Sequence, residues 1–97
     1  MNRVYNKFKI PFTNLYLIQW MPRVVTPIHG HSNECNFLLL KGKLQENVYK
    51  NLQSEGYYMI SSTIISPHQS SHINNTKGFH SIKNMSDNYS WSLHYYN

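Results

Sequence analysis

The feature that most constrains this chain is a series of short strand-like segments, each closed by a turn signal. Segments rich in aromatic and β-branched residues recur at intervals of about ten residues. No stretch sustains the 3.6-residue apolar period of a long amphipathic helix. Alanine is absent, while the strand formers Tyr, Ile, Thr and Val are frequent. Pattern and composition together predict an all-β fold, either a sandwich or a small barrel.

Six segments are predicted to be strands, and a shorter segment is predicted to be a short strand or the end of one. The six are 12–20, 35–40, 43–49, 57–65, 79–84 and 90–96, and the shorter one is 28–31. The turn at Lys41 and Gly42 suggests that 43–49 returns beside 35–40 as a hairpin. In a strand, alternate residues share a face, so Ser92, His94 and Tyr96 of the last segment would lie on one side.

Length, charge and cysteine content narrow the class of protein. A chain of 97 residues fits one domain, spanning 1–97. The formal net charge is +5, but the nine Lys and Arg are scattered and form no stripe, so we do not expect nucleic-acid binding. A single cysteine excludes an intramolecular disulfide. With no signal-peptide pattern and no apolar run near the roughly 20 residues of a membrane span, we expect a cytoplasmic protein without membrane contact.

The densest chemistry in the chain is the sequence His29-Gly30-His31. In a β-strand the two imidazoles would point the same way and could bind one metal ion from one face. Alone, such a pair is a weak signal, because two exposed histidines in a polar loop would give the same sequence. The spacing of the residues that follow therefore decides how the pair is interpreted.

That spacing resembles the first motif of the cupin superfamily. Cys35 follows His31 after three residues and stands where most cupins have Glu, and Gly42 follows after six more. His80 resembles the histidine of the second cupin motif. Three histidines facing one cavity would form a neutral nitrogen set suited to Fe, Zn, Cu or Ni.

Three longer segments are similar to cysteine dioxygenase, the thiol dioxygenase branch of the cupins. They read PIHGHSNECNFLLLKGKLQE, HINNTKGFHSIKN and SWSLHYY. The similarity extends back through Trp20 to Arg3, so it covers nearly the whole chain. It implies a small jelly-roll β-barrel (the cupin fold) that holds mononuclear non-haem iron. The helices that precede the barrel in this family have no counterpart in the 97 residues.

By this resemblance, His29, His31 and His80 would be the ligands of Fe(II). Three neutral ligands leave the ion its full charge, which suits the thiolate and amine of a substrate and then dioxygen. The implied reaction adds both oxygen atoms to the sulfur of a small thiol, first of all L-cysteine, and gives a sulfinic acid. The alternatives are another thiol, such as cysteamine or 3-mercaptopropionate, and a non-catalytic cupin that binds a metal or a small ligand.

The resemblance also implies roles for residues around the metal. Cys35 matches a cysteine that can form a thioether with a tyrosine, here Tyr96. Ser92 and His94 match a polar relay that holds the tyrosine hydroxyl. Arg3 matches the arginine that pairs with the substrate carboxylate, for which a planar guanidinium is well suited. The plain alternatives are that Cys35 is a buried core thiol, that Tyr96 is an aromatic residue at a frayed terminus, and that Arg3 is a surface charge.

Several positions depart from the family pattern or compete with it. Gly30 stands where the family normally has Asp, and Arg23 replaces a motif glycine. Glu34, beside the usual cupin carboxylate position, could be a fourth ligand. His68 and His72 lie in a segment that is predicted to be a loop, and we leave them out of the site. Because a shortened barrel leaves strands uncovered, the chain could be a monomer or a homodimer.

Overall fold

A computed structural model of the chain describes residues 4–30, 35–73 and 78–96. These residues form eight strands and a short 3-10 turn at Gln53–Glu55. The strands are β1 (Tyr5–Lys9), β2 (Leu15–Trp20), β3 (Cys35–Lys41), β4 (Leu44–Asn51), β5 (Tyr57–Ile65), β6 (Ser70–Ile73), β7 (Phe79–Asn84) and β8 (Ser90–Tyr96). The all-β prediction is confirmed. Across the described ranges, no helix is long and apolar enough to cross a membrane.

The strands form two antiparallel sheets. The larger sheet has the order β1-β2-β8-β3-β6, and the smaller has the order β5-β4-β7. The chain between β2 and β3 lies along β7, where Val25 bridges Lys83 and His29 bridges His80. This segment therefore brings the first predicted histidine to the strand that carries another.

The core lies between the two sheets, because β3, β8 and the first half of β4 bury alternate residues. In β3, Cys35, Phe37 and Leu39 are buried, and the residues between them face outward. The full cluster is Ile18, Trp20, Phe37, Leu39, Leu44, Ile65 and Ile82. Leu39 and Leu44 are fully buried and close one end of the space between the sheets. The other end, toward Cys35, remains open.

Asn84 joins three elements at the closed end. Its side-chain amide donates to the carbonyls of Trp20, Met21 and Asn88. Its Oδ1 accepts from the hydroxyl of Ser90 at 2.7 Å. The residue is fully buried, and these bonds replace the water that its amide loses. The ends of β2 and β7 and the beginning of β8 are thereby fixed to one another.

Three predictions about local structure were wrong. The segments now assigned to β3 and β4 are not a hairpin, because they belong to different sheets. Gly42, with φ +102°, lets the chain cross between the sheets, so that both flanking strands bury leucines in the core. The second error is β1, which was not predicted because its exposed edge carries charged side chains. The third is β6, which places His72 on a strand, whereas Pro67 and the surrounding Ser residues predicted a loop. The strands at 57–65, 79–84 and 90–96 were predicted at their observed bounds.

Candidate active site

A cavity of about 280 Å³ opens between the two sheets. Its wall combines apolar core residues with titratable side chains from several strands. The described residues that line it are Val4, Tyr5, Ile18, Trp20, Thr26, Pro27, His29, Cys35, Phe37, His80, Ile82, His94 and Tyr96. An apolar wall with a few converging polar groups is typical of a small-molecule site.

Two histidines face each other in this cavity. His29 and His80 exchange backbone hydrogen bonds of 2.9 and 2.8 Å across the isolated bridge. Directly opposed residues in an antiparallel bridge point to the same side. The ring centroids lie 4.5 Å apart with an interplanar angle of 62°. The backbone bridge therefore fixes the two imidazoles beside one another.

Hydrogen bonds determine which nitrogen of each ring carries a proton. His29 Nδ1 lies 2.8 Å from the Pro27 carbonyl oxygen, which can only accept, so Nδ1 donates. His80 Nδ1 donates in the same way to Glu46 Oε2 at 2.8 Å. Burial lowers the pKa of His29, against the effect of its bond to Pro27, and the nearby His80 lowers it further. The neutral His29 ring then carries its lone pair on Nε2, the atom that could bind a metal ion.

Glu46 is a residue of this site that the sequence reading did not identify. It is only 6% exposed, and its two oxygens accept hydrogen bonds from His80 and from the Ser71 hydroxyl. A carboxylate behind a histidine fixes the ring and raises its basicity in metal sites. The sequence carried a signal that Glu46 is buried, because in a strand it shares one face with the apolar residues Leu44 and Val48.

A chain of hydrogen bonds leads from Trp20 to Cys35. The indole Nε1 can only donate, and it lies 2.8 Å from Ser92 Oγ. Ser92 Oγ lies 2.6 Å from His94 Nε2, and His94 Nδ1 lies 4.0 Å from Cys35 Sγ. Trp20 is thus bonded to the relay, a contact that the sequence analysis did not predict.

Cys35 and Tyr96 are direct neighbours across β3 and β8. The Tyr96 hydroxyl donates a hydrogen bond to the thiol. Burial raises the pKa of Cys35 to about 11, although the bond from Tyr96 opposes this shift. Burial, and next the proximity of Cys35, also raises the pKa of Tyr96. Both groups are therefore protonated at neutral pH, with the thiol and the phenol side by side in the cavity wall.

The structure brings most of the sequence-predicted site residues together. The cavity is lined by His29, His80, Cys35, His94 and Tyr96, and Ser92 lies behind His94. Arg3, His31 and Glu34 fall outside the described residues. Within the described part of the chain, no three His, Cys, Asp or Glu side chains are grouped as metal ligands.

The two histidines that were left out of the site lie away from the cavity. His68 is exposed beside Pro67. His72 lies on β6, and its Nδ1 is 2.5 Å from Asn36 Oδ1. Neither residue lines the cavity between the sheets.

The ring of Phe79 explains why residue 30 is a glycine. A Cβ atom added to Gly30 would lie 2.9 Å from Cε1 of Phe79. That ring also packs edge-on against Tyr57, with centroids 5.5 Å apart. The aspartate usual in the family would therefore require Phe79 to move, so glycine and phenylalanine are matched at this point.

Comparison with protein families gives a match over most of the chain. The family model of cysteine dioxygenase type I matches residues 9–97. The chain belongs to the cysteine dioxygenase type I family. Membership in this family agrees with the resemblance that was inferred from the histidine and SWSLHYY segments. No curated protein sequence gives a significant match.

Solved structures of similar fold are cupins. The Drosophila melanogaster CENP-C cupin domain superposes with a TM-score of 0.71 at 10% identity, over 96% of this chain and 75% of that one. The Schizosaccharomyces pombe Cnp3 cupin domain gives 0.63 at 14% identity, over 96% and 64%. Oxalate oxidase with glycolate gives 0.68 at 18% identity, over 86% and 40%. At these identities the similarity shows the fold alone, and it confirms the predicted cupin barrel.

Proposed function

We propose that this protein is an Fe(II)-dependent thiol dioxygenase that converts L-cysteine to cysteine sulfinic acid. The observation that carries the proposal is the facing pair of His29 and His80, each held through Nδ1, in one cavity with Cys35 and Tyr96. Membership in the cysteine dioxygenase type I family supports it. The balanced reaction is R-SH + O2 → R-SO2H, in which the sulfur is oxidised and both oxygen atoms are retained.

The donor set fits a first-row transition metal ion. His29 and His80 would bind it through Nε2, and His31 would complete the set. Imidazole ligands suit Fe, and Glu46 behind His80 is the kind of hydrogen-bond partner that such ligands use. Bound Fe(II) would bring the substrate thiol and dioxygen together and lower the thiol pKa.

The protein's own residues bind and orient the substrate. Ile18, Phe37 and Ile82 line the cavity with apolar surface, which excludes water from the thiol. Arg3 would pair with the substrate carboxylate, where a guanidinium can form two parallel hydrogen bonds. The Tyr96 hydroxyl is held beside Cys35, and the rigid relay behind it keeps both in place.

A thioether between Cys35 and Tyr96 is part of this proposal. Their opposed positions in β3 and β8 and their hydrogen bond support it. Joining the sulfur to a ring carbon breaks one S–H and one C–H bond and removes two electrons and two protons. Dioxygen, which the proposed reaction already uses, is the oxidant. Mass spectrometry of protein exposed to Fe(II), cysteine and air should find a loss of two hydrogens.

Oxygen uptake by anaerobically purified protein, reconstituted with Fe(II) and given L-cysteine, tests the function. We expect stoichiometric cysteine sulfinate by mass spectrometry. His80→Ala should abolish it. His72→Ala should leave it intact, because His72 pairs with Asn36 and does not line the cavity. Iron binding without turnover of cysteine, cysteamine or 3-mercaptopropionate would contradict the proposal and favour a non-catalytic cupin.

Substrate choice and metal retention are tested separately. Arg3→Ala should lower activity toward cysteine far more than toward cysteamine, which lacks the carboxylate, and equal losses would remove Arg3 from the site. Glu46→Gln should weaken Fe(II) affinity about 10- to 100-fold, measured by competition with a chelator. Unchanged affinity would mean that Glu46 only supports the fold.

A further inference from the structure

Lys7 of β1 lies at the rim of the cavity between the two sheets. It shares one face of its strand with Tyr5, which lines the cavity, because the two residues alternate. In the pairing of β1 with β2 it also lies opposite Ile18, another residue of the cavity wall. Lys7 is nevertheless exposed. Its side chain is therefore located where the cavity wall meets solvent.

Two aromatic rings hold the Lys7 side chain at this rim. Its Nζ lies 4.4 Å from the ring centroids of both Tyr16 and Tyr96. The two rings pack edge-on, with centroids 5.4 Å apart. Aromatic faces attract an ammonium group but carry no charge that would neutralise it. The positive charge thus lies beside Tyr96, which lines the cavity next to Cys35.

No carboxylate of the described residues neutralises Lys7. The ion pairs within 4 Å in this part of the chain join Asp87 to Arg23 and Glu46 to His80. An ammonium group at the mouth of a ligand-sized cavity, with no acidic partner among the described residues, can attract an anion from solvent.

We propose that Lys7 is an anion-recognition residue at the mouth of the cavity, where it selects thiols that carry a carboxylate. This inference rests on the proposed function and assigns its substrate to a class that includes L-cysteine and 3-mercaptopropionate but not cysteamine. A lysine ammonium is a compact point charge, which can attract a carboxylate from several directions. The planar guanidinium proposed for Arg3 would instead orient the carboxylate once it is bound.

The thiol of Cys35 can report on this selection without any turnover. Iodoacetate and iodoacetamide have nearly the same size, and both form an S–C bond with loss of iodide, but only iodoacetate is charged. We would measure both alkylation rates at pH 8 in metal-free protein by peptide mass spectrometry. Lys7 also lowers the pKa of Cys35, but this effect changes both rates alike and cancels in their ratio.

The ratio of the iodoacetate rate to the iodoacetamide rate should follow the charge at position 7. Lys7→Met should lower it about threefold, and Lys7→Glu should lower it further. Lys7→Arg keeps the charge and should keep the ratio. High salt should reduce the difference between the wild type and Lys7→Met, because exposed charges are screened.

The control variant is Lys43→Met, which removes the same charge at the closed end of the barrel. There the backbone N–H of Lys43 donates to the Ser90 hydroxyl, which the substitution leaves in place. The ratio should equal that of the wild type, and circular dichroism of each variant should show that the fold is kept. A ratio that is the same in the wild type, Lys7→Met and Lys7→Glu would overturn the inference.

Turnover by the Fe(II)-loaded protein gives a second test. Lys7→Met should raise KM about threefold for L-cysteine and 3-mercaptopropionate, with little change in kcat, and should leave cysteamine unaffected. An equal rise in KM for all three thiols would overturn the inference. Turnover of none of them by the wild type would contradict the proposed function, and the alkylation ratio would still decide the role of Lys7.

Discussion

Strands β8 and β5 are both uncharged, yet they distribute polar and apolar residues in opposite ways. In β8, Ser92 and His94 are buried, while Tyr95 on the other face is 40% exposed. In β5, Tyr58 and Ile60 are 60% and 53% exposed. Each strand reverses the usual burial rule, β8 by taking polar groups inside and β5 by leaving apolar groups outside. The difference teaches that the reversal inside the barrel accompanies the cavity, whereas the reversal at the edge leaves apolar side chains exposed.

The two strands also differ in how they are held. Strand β8 pairs with β2 on one side and β3 on the other. Its buried hydroxyls are paired, as in the 2.7 Å bond from Ser90 to Asn84, so their burial leaves no unsatisfied group. Strand β5 pairs with β4 alone. We therefore expect substitutions next to β8 to cost far more stability than the same substitutions next to β5.

The largest contrast should come from two glycines with positive φ. Gly42, at φ +102°, packs against the beginning of β8, and an added Cβ would lie 2.6 Å from Ser90 Cβ and 2.9 Å from its Cα. Gly56, at φ +85°, precedes β5 and has nothing within 4 Å of an added Cβ. Backbone strain plus overpacking should cost Gly42→Ala about 3–5 kcal/mol of unfolding free energy in urea. Strain alone should cost Gly56→Ala about 1–2 kcal/mol. Similar losses at both positions would mean that the contact with Ser90 relaxes easily.

The second contrast concerns thiols. Because burial raises the pKa of Cys35 to about 11, little thiolate exists in the folded protein at pH 8. Alkylation of Cys35 by iodoacetamide in metal-free protein should be roughly 100-fold slower than in urea-unfolded chain, from the thiolate fractions alone. A thiol placed on β5 by Tyr58→Cys should react at nearly the unfolded rate. Equal rates for the two thiols in the folded protein, resolved by peptide mass spectrometry, would contradict the pKa shift.

The same shift makes stability depend on pH. The pKa of Cys35 is raised on folding, so the unfolded chain loses its thiol proton at lower pH than the folded protein. The associated stability is fully present below about pH 9 and declines as the pH rises toward 11. Cys35→Ser should remove this part of the decline, which can be measured as the difference between the two proteins in urea midpoints across that range.

A third and smaller contrast comes from two serines. Ser92→Ala in β8 leaves the Trp20 indole N–H without its acceptor in a buried position. An unsatisfied buried donor costs about 1–3 kcal/mol. Ser61→Ala in β5 removes an exposed hydroxyl and should change the unfolding free energy by less than about 0.5 kcal/mol. If Ser92→Ala were equally harmless, the hydrogen bond from Trp20 to Ser92 would contribute no stability.

These contrasts also explain how far the sequence alone could lead. Aromatic and β-branched composition predicted β5, and period-2 patterning predicted β7 and β8, at their observed bounds. The same patterning placed Ser92, His94 and Tyr96 on one face of β8. It could not report that β3 and β4 separate into different sheets, since the turn at Gly42 looks alike in a hairpin and in a crossover.

The candidate site was predictable only where a motif carried it. His29, His80 and Cys35 were identified through the cupin spacing, and the structure brings them to one cavity. Glu46 was not identified, because a glutamate in an alternating strand does not reveal which histidine it will contact. Trp20 was identified only as a point of family similarity. Its donor-only indole acquires a role when β2 and β8 pair and put Ser92 beside it.

The smallest expected effect concerns Lys7 of β1, whose Nζ lies 4.4 Å from the ring centroids of both Tyr16 and Tyr96. Lys7→Met should cost about 0.5–1 kcal/mol by loss of these cation–π contacts, measured by urea unfolding. Lys50→Met on β4, beside β5, removes the same charge and should cost less than about 0.5 kcal/mol. Lys7 also lowers the pKa of Cys35, so Lys7→Met should slow the alkylation of Cys35 at pH 8, and Lys50→Met should not. Because an altered net charge would affect both variants alike, a difference between them isolates the contact with Tyr96. If the two variants lost equal stability and left Cys35 equally reactive, Lys7 would be a surface charge with no influence on the β8 end of the cavity.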